Sequence, residues 1–412
     1  MYKNIYLLAF ALLATQMVCA QEFRKTPAQQ LMANTGEDSL NLGAAHSKTI
    51  ISGYGDLSYS RDFNAQTATL NLNRAVLFVG HQFNDRIALF TELEVEDAKV
   101  AGGEVGGEVA FEQAYLKFSL NPRQYIAAGL FVPRIGILNE NHLPVNFNGV
   151  ERPLVEQLVI PATWRELGVA FYGQSSSLPI AYSLALVNGL DASGFQHGSG
   201  IREGRAEGRL ASANNLAVTA AVQYFYKDWK FQVSGYAGGT IGLNPTKADS
   251  LKVHSGAFGS TIFLGEGDVQ YAHNGFAAKA LACAIAFPDA VSINAAFGNN
   301  VASMMLGAYG ELAYNLFQNA HKEKWKTKQL NVFARYEYFD LNSSIPSNGV
   351  RDGTLQQSHI VAGFGYLPMP NVVIKADIRL MHTGAENPLL TGSTLPYKQS
   401  NTIFNLGIGY SF

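Results

Sequence analysis

From Ile50 to Phe412 the chain reads as short runs in which large apolar residues alternate with polar or small ones, punctuated by turn-forming residues. Alternation with a period of two marks a strand with one apolar and one polar face. In 371–383, Val372, Ile374, Ala376, Ile378 and Leu380 share one face, and Lys375, Asp377 and Arg379 share the other. In 328–339, Leu330, Val332, Ala334, Tyr336 and Tyr338 oppose Asn331, Arg335 and Glu337. In 86–96, Ile87, Leu89, Leu93 and Val95 oppose Glu92, Glu94 and Glu96, and in 303–317, Leu306, Leu312, Tyr314 and Leu316 oppose Glu311 and Asn315. The last run sets Phe404, Leu406, Ile408, Tyr410 and Phe412 against Asn405, Gly407, Gly409 and Ser411. One run breaks the rule. In 69–80, Arg74 has the parity of Leu70 and Leu72, which predicts a β-bulge or a misplaced boundary there.

The connections follow a rhythm of their own. Tight turns at Asn84-Asp85, Asn121–Arg123, Gln174–Leu178, Lys227-Asp228, His273–Gly275 and Pro368–Asn371 alternate with longer connections at 98–107, 134–163, 189–214, 242–253, 288–302, 342–355 and 384–399. A short first connection, 62–66, and a long Lys-rich one, 318–327, depart from it. The pattern predicts an all-β fold over 50–412: a transmembrane antiparallel β-barrel of about 16 strands, 14 or 18 if one hairpin is miscounted, with short periplasmic turns and longer extracellular loops. A Lys or Arg facing lipid at mid-depth costs ~2–4 kcal/mol, so the charged faces must look inward. Glu92, Glu94, Glu311, Arg335, Glu337, Lys375, Asp377 and Arg379 are therefore the expected lumen lining. No 20–50-residue repeat is present, which argues against a solenoid or a propeller.

Composition agrees with this picture. Beyond the N-terminus no apolar stretch reaches the ~18–20 residues a spanning helix needs. Nineteen Tyr and 25 Phe supply the aromatic girdles such a barrel carries. At the N-terminus Lys3, the apolar run Ile5–Leu13 and Val18-Cys19-Ala20 predict a signal peptide over 1–20, and hence export. The residues before Cys19 do not fit a lipoprotein site. Residues 21–49 are expected to be a periplasmic lead-in, with a short helix opened by Thr26-Pro27-Ala28-Gln29. Once the signal is removed Cys283 is the sole cysteine, so it pairs with no other within the chain and reads as a small apolar residue, buried or facing lipid. A formal charge of −2 excludes the overall basic balance expected of a nucleic-acid partner.

The most distinctive segment runs from Phe131–Pro144 through Asn148–Glu156 to Ile160–Gly168. Structureless connections of this length are uncommon and usually functional. Here the chain resembles the phosphate-selective porin O and P family and related Gram-negative porins. The resemblance lies in a strand ending on Pro133-Arg134, a loop bearing Asn139-Glu140 and Glu151-Arg152, and the Trp164-Arg165-Glu166-Leu167-Gly168 run opening the next strand. The patterns Tyr271–Lys279 and Ala308–Tyr314 also look familial, and the resemblance covers about Ile50 to Phe412. It implies a porin of the bacterial outer membrane, in contact with outer-membrane lipid and with small hydrophilic solutes or ions, assembled as a homotrimer. It further implies that Tyr410 and Phe412 form a C-terminal signal for the barrel-assembly machinery. The third extracellular loop would fold inward, with Arg134, Glu140, His142, Glu151, Arg152 and Glu156 ringing a constriction. A pore selects by width and by charge where the path is narrow. The alternative is that Glu151-Arg152 and Arg165-Glu166 pair and pin the loop to the wall. Phosphate selectivity calls for clustered Arg and Lys. This loop carries more carboxylates than guanidinium groups, so anion selectivity is not expected.

Other chemistry finds little support. A barrel hydrolase needs a nucleophile, a His and an orienting group in reach, and no histidine here sits in such a motif; His359 and His382 read as lumen or rim polar residues. Gly102–Gly107 lacks the Lys of a P-loop and reads as a loop tip. The acidic run Glu92–Asp97, with Glu104 and Glu108, reads as a solvated rim rather than a Ca²⁺ site. No catalytic residue, metal or cofactor is expected. The expected function is a passive or weakly selective diffusion channel, since about sixteen strands leave an aqueous lumen whereas about eight are filled by side chains. The alternative is a closed or narrow barrel whose extracellular loops bind a partner. An outer-membrane enzyme has the least support.

Overall fold

The computed structural model describes residues 23–32, 49–96, 108–320, 325, 327–390 and 398–412. The expected signal peptide and the Gly-rich tip 102–107 lie outside them. Sixteen antiparallel strands close into one barrel in simple up-and-down order. The strands are β1 (Thr49–Asp62), β2 (Thr67–Gln82), β3 (Ile87–Glu96), β4 (Glu108–Asn121), β5 (Gln124–Phe131), β6 (Glu166–Gln174), β7 (Ile180–Asn188) and β8 (Leu216–Tyr226), then β9 (Trp229–Gly238), β10 (Ile262–His273), β11 (Phe276–Ala286), β12 (Met304–Asn315), β13 (Gln329–Ser344), β14 (Gln356–Met369), β15 (Val372–Thr383) and β16 (Ser400–Ser411). Closure is made by β1 against β16, with Gly55 opposite Tyr410. Gly53 and Phe412 exchange both backbone hydrogen bonds at 2.9 Å.

Parity along the strands sorts the residues as the alternation predicts. Leu70 and Val233 are 79% and 68% exposed on the outer face, whereas Arg335 and Glu337 are 2% and 0% exposed on the inner one. The irregularity at Arg74 is a bulge. Asp56 pairs with Arg74 and Leu57 with Leu72, so Asn73 is the extra residue and Arg74 turns inward to Asp56 at 3.1 Å. Phe83, Tyr226, Trp229, Phe276, Tyr314, Tyr410 and Phe412 are exposed outside near the short-turn end, where they form an aromatic girdle. Phe412 thus belongs to both the girdle and the closing seam. Phe412→Ser is expected to lower the amount of folded barrel in the membrane, read as loss of the heat-modifiable band; unchanged band intensity would count against this.

Two features fill the barrel from within. A short helix, α1 (Pro27–Met32), begins with a capping box in which the Thr26 N–H donates to Gln29 Oε1 at 2.9 Å. The lead-in helix lies inside the barrel mouth: Ala28 and Met32 pack among Tyr54, Val76, Phe78, Ala88 and Phe90, and Lys117 Nζ donates to the Met32 carbonyl at 2.9 Å. The second feature is residues 132–165, expected as the third extracellular loop, which folds into the lumen. On β5–β12 much of the inner face is apolar (Ala127, Ala170, Ala185, Leu264, Leu281, Cys283, Ile285) and packs against Ile135, Ile137, Leu138, Val155, Val159 and Trp164 of this loop. Cys283 therefore faces inward, not lipid. Part of the lumen is thus a packed core, while buried charged side chains line β12–β16 and β1–β4, with Glu266, Asp268 and Lys279 adding more on β10 and β11.

Candidate functional site

The inner loop is built to hold one shape. Asn139 joins its incoming and outgoing legs: its Nδ2 donates to the Pro133 carbonyl at 2.8 Å and its Oδ1 accepts from the Trp164 N–H at 2.7 Å. Glu156, fully buried beside a short π-helical turn (Val155–Val159), accepts from the Ile137 and Leu138 N–H groups at 2.8 and 2.7 Å and from Tyr309 Oη at 2.6 Å. Burial pushes its carboxyl up to about 7 against those hydrogen bonds. The loop then runs along β16–β12. Gly409 and Gly407 leave room for Pro144 and Val150, since a Cβ would come within 2.5 Å of Pro144 and 2.9 Å of Val150. Lys375 Nζ donates to the Phe147 carbonyl at 2.8 Å, Asn148 Nδ2 to Glu311 at 2.9 Å, and the Val150 N–H to Asp377 at 2.6 Å. The Leu154 N–H donates to Glu337. Arg335 holds Glu337 at 2.7 Å and Glu311 at 3.1 Å while donating to the carbonyls of Asn148 and Glu151. Arg379 pairs with Glu151 at 2.9 Å.

The expected lumen lining of β12–β15 is thus inward but not free. Glu311, Arg335, Glu337, Lys375, Asp377 and Arg379 grip the inner loop rather than a solute path. Glu92 and Glu94 are also buried; Glu94 lies 3.5 Å from Arg74. The structure separates the residues expected at a constriction into four groups. Glu156 and His142 are packed between loop and wall, where their side chains serve the fold. Glu151 binds Arg379 and leaves about half of its side chain exposed. Arg134 and Glu140 form a 2.6 Å ion pair, with the guanidinium 5.3 Å from the Tyr172 ring centroid, on the wall of an open cavity. Arg152 is half-buried beside Arg74, and burial, with Arg74 next, lowers its guanidinium to about 10. The neighbouring pairs expected to pin the loop do not bind each other: Glu151 takes Arg379, Arg165 takes Glu207 at 3.0 Å, and Glu166 takes Trp164 Nε1 at 2.7 Å.

The cavity measures ≈ 360 Å³ and opens toward the short-turn end. Among its described lining residues Arg24, Lys25, Arg123, Arg134 and Lys230 face one carboxylate, Glu140, among the rings of Tyr115, Tyr125 and Tyr172. Sequence reasoning found Arg134 and Glu140 but missed the other cations, which come from the lead-in (Arg24, Lys25), one turn (Arg123) and one strand (Lys230). Between the cavity residues Asn141 and Leu143, His142 is buried, and its Nε2 lies 3.4 Å from Glu92 and 3.5 Å from Glu112. Burial opposes charge on this imidazole, but hydrogen bonds and charge from Glu112 and Glu92 outweigh it and raise it to about 10.

No family model matches the chain. An uncharacterized protein of Aquifex aeolicus is 29% identical over 374 residues, 86% of this chain and 82% of that protein. Among solved structures, OmpF of Salmonella typhi in complex with daunomycin superposes with a TM-score of 0.55 at 12% identity, covering 89% of this chain and 98% of its own. An anion-selective porin from Comamonas acidovorans gives 0.52 at 10% identity, covering 88% and 99%. The fold is that of the outer-membrane porins. With its closed sixteen-strand wall, apolar outer face and aromatic girdle, this is a β-barrel protein of the bacterial outer membrane.

Proposed function

We propose that the protein is a passive diffusion channel for small hydrophilic solutes, narrowed by the inner loop and favouring small anions at its periplasmic mouth. The observation that carries this reading is the cavity in which five cationic side chains meet a single carboxylate. Charges in a narrow, partly dry passage act at short range and escape much of the screening set by a Debye length of ~8 Å. The reading revises the expectation from the loop alone, where carboxylates dominate: the lead-in and the wall supply the missing cations. The anion selectivity of the Comamonas porin and the sequence resemblance to phosphate-selective porins point the same way. Selection of this kind needs width and field, not covalent chemistry.

The test is a reversal potential across a planar bilayer under a KCl gradient. The native channel is expected to favour Cl⁻, and the Arg134→Gln, Lys230→Gln double variant to shift the potential toward cation preference. A channel that prefers K⁺ before substitution, or a potential unmoved by it, sinks the anion reading. Complete absence of conductance favours the narrow barrel whose outer loops bind a partner. The homotrimer is checked by the mass of the detergent-solubilised particle.

A further inference from the structure

Glu92 on β3, Glu112 on β4 and His142 on the inner loop are 0%, 0% and 3% exposed and converge where loop meets wall. Their nearest ligand atoms all lie within 4.8 Å of one another. We propose that these three side chains bind one divalent transition-metal ion of the Zn²⁺ class, which clips the inner loop to the barrel wall.

The argument begins with the strand. Glu92 pairs with Gln113 and Leu93 with Phe111, so Glu112 is the extra residue of a β-bulge. Bulges re-aim side chains and are common beside functional sites. This one turns Glu112 into the lumen next to Gln113, where plain alternation would send one of the two outward. Each member then has one polar atom fixed and another left over. His142 Nδ1 is 2.8 Å from the Asn139 carbonyl, which makes Nδ1 the donor and directs Nε2 at the carboxylates. Glu92 Oε2 accepts from Gln113 Nε2 at 2.6 Å, and Glu112 Oε1 from Thr163 Oγ1 at 2.6 Å. The remaining atoms are His142 Nε2, Glu92 Oε1 and Glu112 Oε2, and the last is buried without a hydrogen-bond partner. Such outer partners, each orienting a ligand, are what metal sites carry.

Spacing favours a metal over a proton. Nε2 makes only a long hydrogen bond to Glu92 Oε1 at 3.4 Å and stands 3.5 Å from Glu112 Oε2, both longer than the ~2.7–2.9 Å of a charge-assisted hydrogen bond. Bonds of ~2.0–2.2 Å at tetrahedral angles place neighbouring ligand atoms ~3.3–3.6 Å apart. One imidazole with two carboxylates suits Zn²⁺ and leaves a fourth position open; an imidazole ligand argues against Ca²⁺ and Mg²⁺, which prefer oxygen alone. The ion would displace the imidazole proton on binding, after which two carboxylates balance its charge. The charged groups nearby are Arg165, 3.8 Å from the far oxygen of Glu112, Arg74, which engages Glu94 and Asp56, Arg152, which feels Glu112, and Glu94, whose carboxyl lies against Glu112. The site stands on the fold alone and does not depend on whether the barrel conducts.

The test uses the refolded, chelator-treated barrel in detergent, titrated with Zn²⁺ by calorimetry and with Co²⁺ by visible spectroscopy. One Zn²⁺ per chain and the intense d–d bands of a tetrahedral Co²⁺ site are expected. Both should vanish in Glu112→Gln and in His142→Gln, while Gln113→Leu, which loses the bond orienting Glu92 and a long one from the Val132 N–H, should weaken binding ~10–100-fold. His142→Cys keeps a metal ligand and should restore the Co²⁺ spectrum with an added thiolate charge-transfer band, which separates loss of a ligand from loss of the fold. No stoichiometric binding to the native chain, or binding unchanged in Glu112→Gln and His142→Gln, would show that the cluster is only an ion pair of imidazolium and carboxylates.

Discussion

Replacing residues 138–160 with a short Gly/Ser linker is expected to raise single-channel conductance several-fold and to weaken discrimination between anions and cations. The inner loop crosses the lumen from Gln232, whose Nε2 donates to the Gly136 carbonyl at 2.9 Å, to β15, where Asp377 accepts from the Val150 N–H. A sixteen-strand barrel without such a loop encloses an aqueous channel, so the loop sets the width. The deletion also strips the apolar cover from Leu264, Leu281 and Ile285 and leaves Arg335 and Lys375 without their carbonyl partners. Yield and thermal stability should therefore fall alongside the rise in conductance. Conductance unchanged by the deletion would mean that the passage is narrowed elsewhere, the lead-in helix at the short-turn mouth being the next candidate.

How much of this was legible in the sequence depends on which physical signal each part leaves. Strand parity is a local signal, because one lipid-facing side must be apolar, and it located the wall and even the bulge at Asn73. The inner face carries no such constraint. Phe276–Ala286 is apolar on nearly all its positions on both sides. That is the mark of a strand buried on both faces, a signal of the packed part of the lumen that the expectation of an aqueous interior passed over. Gly407 and Gly409 were visible as small residues, but what they make room for, Val150 and Pro144, lies more than 250 residues away. The inward loop followed from the resemblance, yet which of its charges stay wet depended on long-range partners. Glu151 meets Arg379 rather than its neighbour Arg152, and Glu156 meets Tyr309. Glu112 escaped notice because a bulge, set by pairing with β3, decides which way it points.

Arg335→Ala should be the most damaging single substitution in the wall, with an expected cost of ~3–5 kcal/mol for removing one partner of a buried charged network. The guanidinium is 2% exposed and binds Glu337 through Nε at 2.7 Å and Glu311 through Nη1 at 3.1 Å, while Nη1 and Nη2 also serve the carbonyls of Asn148 and Glu151. Alanine leaves two buried carboxylates without their shared guanidinium, although Lys279 stays 3.6 Å from Glu311. It also frees the turn of the inner loop that Arg335 holds. Arg335→Lys should rescue little, because a single ammonium cannot reproduce a planar fork that reaches two carboxylates and two carbonyls. Adding Glu337→Gln to Arg335→Ala should recover part of the loss, since it removes one of the stranded charges, and Gln still offers an oxygen to the Leu154 N–H. The measurement is the urea midpoint for unfolding in detergent micelles, followed by tryptophan emission from Trp164, which is buried against Tyr236, together with protease cleavage within 144–154. A midpoint within error of the native barrel, or Lys restoring it fully, would mean that the loop is held by its apolar packing and that the network on β12 and β13 contributes little.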